Sequence, residues 1–253
     1  MRAIELDHTP STEHQAATLS RAGAPVPFCV RADQQDTTSL PGGKGRTAPE
    51  GGLWCTVVWP TQAEGRHYAG APLLASAVLI AVAEAMLPGD GPSTMLALEW
   101  PGRVTGEGRC VARVKSRRLV LPDRPKGEQN LLLLTIDALI GLDNDGVGAF
   151  QGRSTSLRTL GWSGIDVPPL AERFRDDMAE ALGALETDGL NPKLRRLIDH
   201  RLVGVSNPVR FTPTKEGAAP IEGTLIGVDH RAALVLETET GKVACRVGEL
   251  EVV

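Results

Sequence analysis

The sequence predicts an α/β domain, strands with helices packed on them, followed by a small all-β unit. Three observations carry that prediction. Runs of strand length alternate with helical apolar patterns over most of the chain. One helical stretch, residues 72–87, is apolar nearly all round, so it must be buried. From Pro208 onward, prolines at 208, 213 and 220 and short alternating segments replace the helical period. The expected division is therefore residues 1–207 for the α/β domain and residues 208–253 for a small β-barrel.

The elements follow in order. A helix starts near Ser11 or Thr12, whose hydroxyls can cap free amides, with Gln15 placed to answer Thr12 in a capping box. It runs to about Arg21, ahead of Gly23. Val26–Ala32 reads as a short buried strand. Residues 33–52 hold five glycines and two prolines, a loop long enough to suggest a function. Leu53–Trp59 is a strand, and Pro72 opens the buried helix at its first turn. Met95–Trp100, Cys110–Val120 and Leu131–Ile140 read as strands, the last with both faces covered because its leucines are unbroken. Leu170, Phe174, Met178, Ala181 and Leu185 mark one helical face. Asn191 caps the next helix, which carries Leu194, Leu197, Ile198 and Leu202. Gly223–Val228, Ala233–Thr238 and Lys242–Val247 are the strands expected at the end.

Composition narrows the function. A net charge of −4 lacks the cationic field a nucleic-acid binder needs, so no nucleic-acid partner is expected. The longest apolar run, Leu73 to Leu87, is too short to cross a bilayer and contains Glu84. The N-terminus has no signal-peptide pattern. Cys29, Cys55, Cys110 and Cys245 form no CxxC pair, as expected in a reducing compartment, and a cytoplasmic protein is predicted. The five histidines show no metal spacing.

Several segments, in order, resemble biotin protein ligases of the biotin/lipoate protein ligase family. Leu6-Asp7-His8-Thr9 resembles the early D-S-T-N segment. Ala32 to Gly51 aligns without a gap to the adenylate loop A-D-x-Q-x-x-G-R-G-R-x-G-R-x-W-x-S-P-x-G. Leu98-Glu99-Trp100-Pro101 resembles K-W-P-N-D, and Gly108-Arg109-Cys110-Val111-Ala112 resembles G-R-K-V-A-G-I. Gly223–Asp229 and Ala233–Glu237 resemble the C-terminal SH3-like domain. The resemblance implies a class II synthetase-like mixed sheet with an SH3-like C-terminal barrel. It implies biotin, ATP and magnesium as ligands where ligase chemistry survives, a small acyl ligand or a biotin acceptor protein as partner, and a homodimer. Because the match starts within the first ten residues, a helix-turn-helix ahead of it is not expected.

That chemistry joins two anions, a carboxylate and a phosphate, so the site needs fixed cations and amide donors under a cover that excludes water. Carried over by position, Thr9, Gln35, Gly43, Lys44, Arg46, Trp100 and Arg103 are the candidate ligand-binding residues. Cys110 stands at the family's catalytic lysine, with Arg109 the alternative if the register slips by one. The departures are many. Ser39 and Pro41 replace two arginines, each worth about 1.5–3 kcal/mol of charge-assisted hydrogen bonding. Arg46 stands at the tryptophan. Glu99 replaces the motif lysine, and beside a phosphate a like pair at ~4 Å costs roughly 4 kcal/mol. Gly102 and Arg103 replace Asn-Asp, Arg113 replaces a glycine that lets ligand approach the backbone, and Leu139 replaces the first asparagine of G-I-N-x-N. The expectation is a divergent ligase-like protein with a ligand cleft but impaired biotinyl-AMP formation. Its rivals are an active biotin or lipoate ligase using Lys44, Arg46, Arg103 and Arg109, and an interaction module whose pocket Arg113 and its neighbours fill.

Other features carry structural expectations. Trp100 packs its strand, and Thr9 doubles as a turn residue ahead of the first helix. Gly42-Gly43-Lys44-Gly45 lacks the remainder of a P-loop. Arg113, Lys115 and Arg117 share one strand face, a solvated edge or a stripe for an acidic partner. Cys110, Ala112 and Val114 fall on the opposite face of a regular strand, which would aim the stripe away from the cleft. Asp143-Asn144-Asp145-Gly146 echoes part of a calcium loop but lacks its ligand series, so a hairpin turn is expected.

Overall fold

A computed structural model describes residues 1–42, 47–61, 70–87, 94–150, 152–214 and 218–253. Its main sheet has seven strands, β1 (Arg2–Thr9), β2 (Phe28–Gln35), β3 (Gly52–Pro60), β4 (Leu96–Glu99), β5 (Arg103–Gly106), β6 (Arg109–Val120) and β7 (Asn130–Leu139), in the order β1-β2-β3-β7-β6-β5-β4. β1 (Arg2–Thr9) was not expected as a strand. Its only large apolar residues are Ile4 and Leu6, because it forms the sheet's edge and half of it faces solvent. It runs parallel to β2 (Phe28–Gln35), and the crossover is α1 (Thr12–Arg21). Ser11 is the N-cap of α1, its hydroxyl accepting from the His14 amide at 3.4 Å. The Thr12–Gln15 capping box does not form, because the Thr12 hydroxyl hydrogen-bonds to Thr56 at 3.0 Å.

β3 (Gly52–Pro60) pairs with β2 on one side and with β7 (Asn130–Leu139) on the other. The leucine run of β7 explains both layers. Leu132, Leu134, Ile136 and Ala138 face the large core under α2 (Ala71–Met86) and α4 (Val167–Thr187). Leu131 and Leu133 face a smaller cluster with Phe28, Val30, Ala16 and Ala17 under α1. Each such leucine contributes about 1.5–3 kcal/mol of burial. β4 (Leu96–Glu99) ends one residue before Trp100 and turns into β5 (Arg103–Gly106), a strand not expected from the sequence. β6 (Arg109–Val120) runs antiparallel to both β5 and β7. After β7, Asp143 is not in a hairpin turn. It caps α3 (Asn144–Gly148), accepting from the Gly146 amide at 2.9 Å.

α5 (Pro192–Arg201), capped by Asn191 as expected, leads to a separate antiparallel sheet of β8 (Pro208–Pro213), β9 (Ile221–Val228), β10 (Leu234–Thr238), β11 (Gly241–Cys245) and β12 (Gly248–Val252), in the order β11-β10-β9-β8-β12. The strands β9 (Ile221–Val228), β10 (Leu234–Thr238) and β11 (Gly241–Cys245) were anticipated. β8 (Pro208–Pro213) and β12 (Gly248–Val252) join them. The two sheets are joined directly through Trp100 and, by way of α5, through Asp199 and Arg201. The Trp100 indole N–H donates to Gly248 O at 3.1 Å, and the Val228 amide donates to Asp199 at 2.8 Å. Arg201 pairs with Glu84 and donates to Leu96 O at 3.1 Å. Among the described residues, no helix is long and apolar enough to cross a membrane.

Candidate functional site

The sheet face under α1 carries the candidate site. Its ends are apolar: the cluster under α1 at one end, and Trp54, Cys110, Leu139 and Phe150 at the other. Between them lies a polar strip contributed by four strands. The Thr56 hydroxyl lies 3.0 Å from that of Thr12 and 3.2 Å from that of Thr135. Glu13 accepts from Thr135 at 3.5 Å and pairs with Arg117 at 2.8 Å and Lys115 at 3.5 Å.

At the centre of the strip stands Asp137, 1% exposed. One of its oxygens accepts from the Gln35 side-chain amide at 2.9 Å, and the other accepts from both the amide and the hydroxyl of Ser39, each at 2.6 Å. The Gln35 carbonyl accepts in turn from the Thr12 amide at 3.1 Å. Arg113, directly across from Asp137 in the β6–β7 register, donates to Ser39 O at 3.1 Å. Ser39 is thus held from both sides. The loop around it is fastened elsewhere too. Leu40 is buried, Pro41 O accepts from Ser154 at 3.0 Å, and Gln35 bridges to Ala48. Gly42, at φ +79°, passes so close that a Cβ there would meet Phe150 O at 2.1 Å, so only glycine fits.

A β-bulge decides which residues of β6 reach this face. Thr105 opposes Cys110 and Val104 opposes Ala112, so Val111 is the extra residue. After it the alternation shifts. Ala112 and Val114 point into the large core, while Cys110 joins Trp54 and Leu139 on the face of Asp137. The Arg113–Lys115–Arg117 stripe therefore lies on the same side as Cys110 and the clasp, not away from it. Regular alternation, assumed from sequence, fails at that one residue.

The sequence-derived candidates divide accordingly. Gln35 is part of the clasp. Thr9 is buried at the end of β1, its hydroxyl 3.5 Å from Ser11 O, in the turn position expected. Trp100 is in the core and tied to the second sheet. Arg103 is paired with Glu99, and Arg109 with Glu107 at 3.2 Å. The Cys110 thiol is buried and donates to Ala112 O at 3.4 Å, and burial pushes it up to about 12 against the opposing pull of Arg103 and Arg113. That environment holds a protonated thiol, not a nucleophile. Gly43, Lys44 and Arg46 lie outside the described residues. The residue that sequence reasoning missed is Asp137. Its signal was a single carboxylate inside an apolar run of β7, two residues before Leu139 and so at the glycine of G-I-N-x-N in the same register.

No family model matches the chain, and no curated protein matches it. Solved structures do. The biotin protein ligase from Aquifex aeolicus in complex with biotin and ATP is 17% identical, with a TM-score of 0.70, over 100% of this chain and 99% of that one. A biotin protein ligase-like protein of unknown function from a Silicibacter species is also 17% identical, with a TM-score of 0.64, over 97% and 94% of the two chains. The Leishmania major biotin protein ligase in complex with biotinyl-5-AMP is 18% identical, with a TM-score of 0.56, over 96% and 98%. These likenesses span the mixed seven-stranded sheet, its helices and the separate C-terminal sheet together. The chain has the fold of the biotin protein ligases.

Proposed function

We propose that this protein is a divergent, ligase-fold interaction module that does not form biotinyl-AMP in the standard way, because its own side chains occupy the ligand cleft that the sequence led us to expect open. The Arg113–Ser39–Asp137 clasp carries this reading. In the family register Arg113 and Asp137 both stand at glycines, and here they are cross-strand partners. Where bare backbone would let a ligand lie against the sheet, a guanidinium and a carboxylate each hold Ser39 of the loop instead. Biotin, ATP and magnesium do not fit the residues described. The family's Asn-Asp pair is Gly102-Arg103, Arg103 is engaged by Glu99, and the lysine position holds the buried Cys110 thiol. The rival, an active ligase built on substitute cations, requires Arg103 and Arg109 to leave their carboxylates for the cleft. The C-terminal sheet, residues 208–253, is read as the SH3-like part of the module. Four free, buried thiols fit a reducing, cytoplasmic setting.

Isothermal titration tests the proposal. The wild type should give no heat with biotin, with ATP plus magnesium, or with a non-hydrolysable biotinyl-AMP analogue. The double variant Arg113→Gly/Asp137→Gly should bind the analogue measurably. Micromolar or tighter binding of the analogue by the wild type, followed by biotinylation of an acceptor protein, would overturn the reading.

A further inference from the structure

Cys29 and Cys55 lie on the opposite face of the sheet from the clasp, in the large core. The register pairs Cys29 with Val57 and Arg31 with Cys55, so the two cysteines are diagonal neighbours on adjacent antiparallel strands. Both are free, 6% and 2% exposed, and line one cavity of about 190 Å³ between the sheet and the first turns of α4. Arg31 and Arg175 form part of its wall, together with Glu5 and Glu172, with which they pair. The ligase-like face makes no use of this pair.

Geometry separates the two chemistries open to such thiols. Diagonal neighbours stand about 7–8 Å apart, and a disulfide needs Cα atoms within about 7 Å unless the backbone moves. An ion between the sulfurs relaxes that demand, since two metal–sulfur bonds of about 2.3 Å span ~4.6 Å. Structural zinc takes four ligands, and among the described residues no group of three or more His, Cys, Asp or Glu could hold a metal. Two thiolates alone suit a soft ion of low coordination number.

We propose that Cys29 and Cys55 form a dithiol site for a thiophilic, two-coordinate monovalent cation such as Cu(I), with Arg31 and Arg175 offsetting the charge of the complex. Each thiol loses its proton as the ion enters: two RSH and M⁺ give M(SR)₂⁻ and two H⁺. The bound group is an anion, which is why guanidinium walls suit it. Arg31 and Arg175 are 14% and 20% exposed, while their carboxylate partners Glu5, Asp33, Glu172 and Asp176 are 45–73% exposed and so more strongly screened.

The test is an anaerobic Cu(I) titration of the reduced full chain in competition with bicinchoninate. One Cu(I) per chain should leave the chelator, with an ultraviolet thiolate-to-metal band. Cys29→Ser and Cys55→Ser should each lose at least about 100-fold in affinity, more than an outer-shell partner costs, and Cys245→Ser should lose none. Arg175→Gln, at the cavity wall, should weaken binding about tenfold at unchanged stoichiometry, which probes the site without altering the thiols. The proposal is overturned if the wild type takes no Cu(I), if Cys29→Ser binds as tightly as the wild type, or if mild oxidation joins the pair as a disulfide with loss of two hydrogens.

Discussion

Asp137 shows how much one side chain can decide. Its carboxylate is the acceptor for three donors, two of them on a residue 98 positions away. Asp137→Ala leaves those donors without their acceptor and should cost about 3 kcal/mol, read as a lowered urea midpoint. Ser39→Ala keeps the backbone bond to Asp137 and should cost about 1 kcal/mol, with faster proteolysis between residues 36 and 42 as the visible effect. Equal stability of Asp137→Ala and wild type would mean the clasp does not hold the loop. At Cys110, the raised thiol pKa means a contribution to stability that is present below the ordinary thiol range and lost as pH climbs toward about 12. Iodoacetamide at pH 8 should therefore leave Cys110 unmodified in the native protein, as peptide mass mapping would show. Gln35 and Arg113 could be singled out from sequence because a family register gave each a position. Asp137 has a position in the same register, but its role was not legible there, because hydrogen-bond partners so far apart in the chain leave no local pattern.

Helix caps are the most local of the element-scale signals, and they were largely legible. Asn191 accepts from the Leu194 amide at 2.9 Å, whereas Asp166, at the cap of α4, makes no side-chain bond to its helix. Asn191→Ala should thus lower stability by about 1 kcal/mol while Asp166→Ala changes it little, a contrast that thermal unfolding resolves. Similar losses at both positions would contradict the capping geometry. Strands with two buried faces, such as β3 and β7, declare themselves by composition. β1 and β5 do not, because the first is a half-solvated edge and the second is four residues long. The bulge at Val111 was invisible for another reason. One unpaired residue changes no composition, yet it reverses the facing of everything before it. Of the two caps the sequence offers for α1, Ser11 takes the role, because the hydroxyl of Thr12 is claimed by a strand residue 44 positions away.

On the scale of the whole molecule, the fold was readable from the order of many weak segment matches, while the state of the cleft had to await side-chain placement. The join between the sheets offers a pH test. Burial raises the Asp199 pKa, against the opposing hydrogen bond from Val228 and the charge of Arg195. A raised carboxylate favours the folded state when protonated and opposes it when charged, so the cost is present at neutral pH and relieved as pH falls through that pKa. Asp199→Asn, which can still accept from Val228, should be more stable than the parent at pH 7, with the gap closing as pH is lowered. Thermal unfolding across that range measures it, and a gap that does not move with pH would count against the assignment. The strand order also divides the main sheet in time. β1, β2 and β3 are near neighbours in sequence, as are β4, β5, β6 and β7, but the β3–β7 ladder that joins them pairs residues 71 to 87 positions apart. Closing so long a loop is the slow step that sequence-distant pairing imposes. Each half can gather around its own hairpins before the other arrives, so the seam between β3 and β7 is where the chain commits to being one sheet.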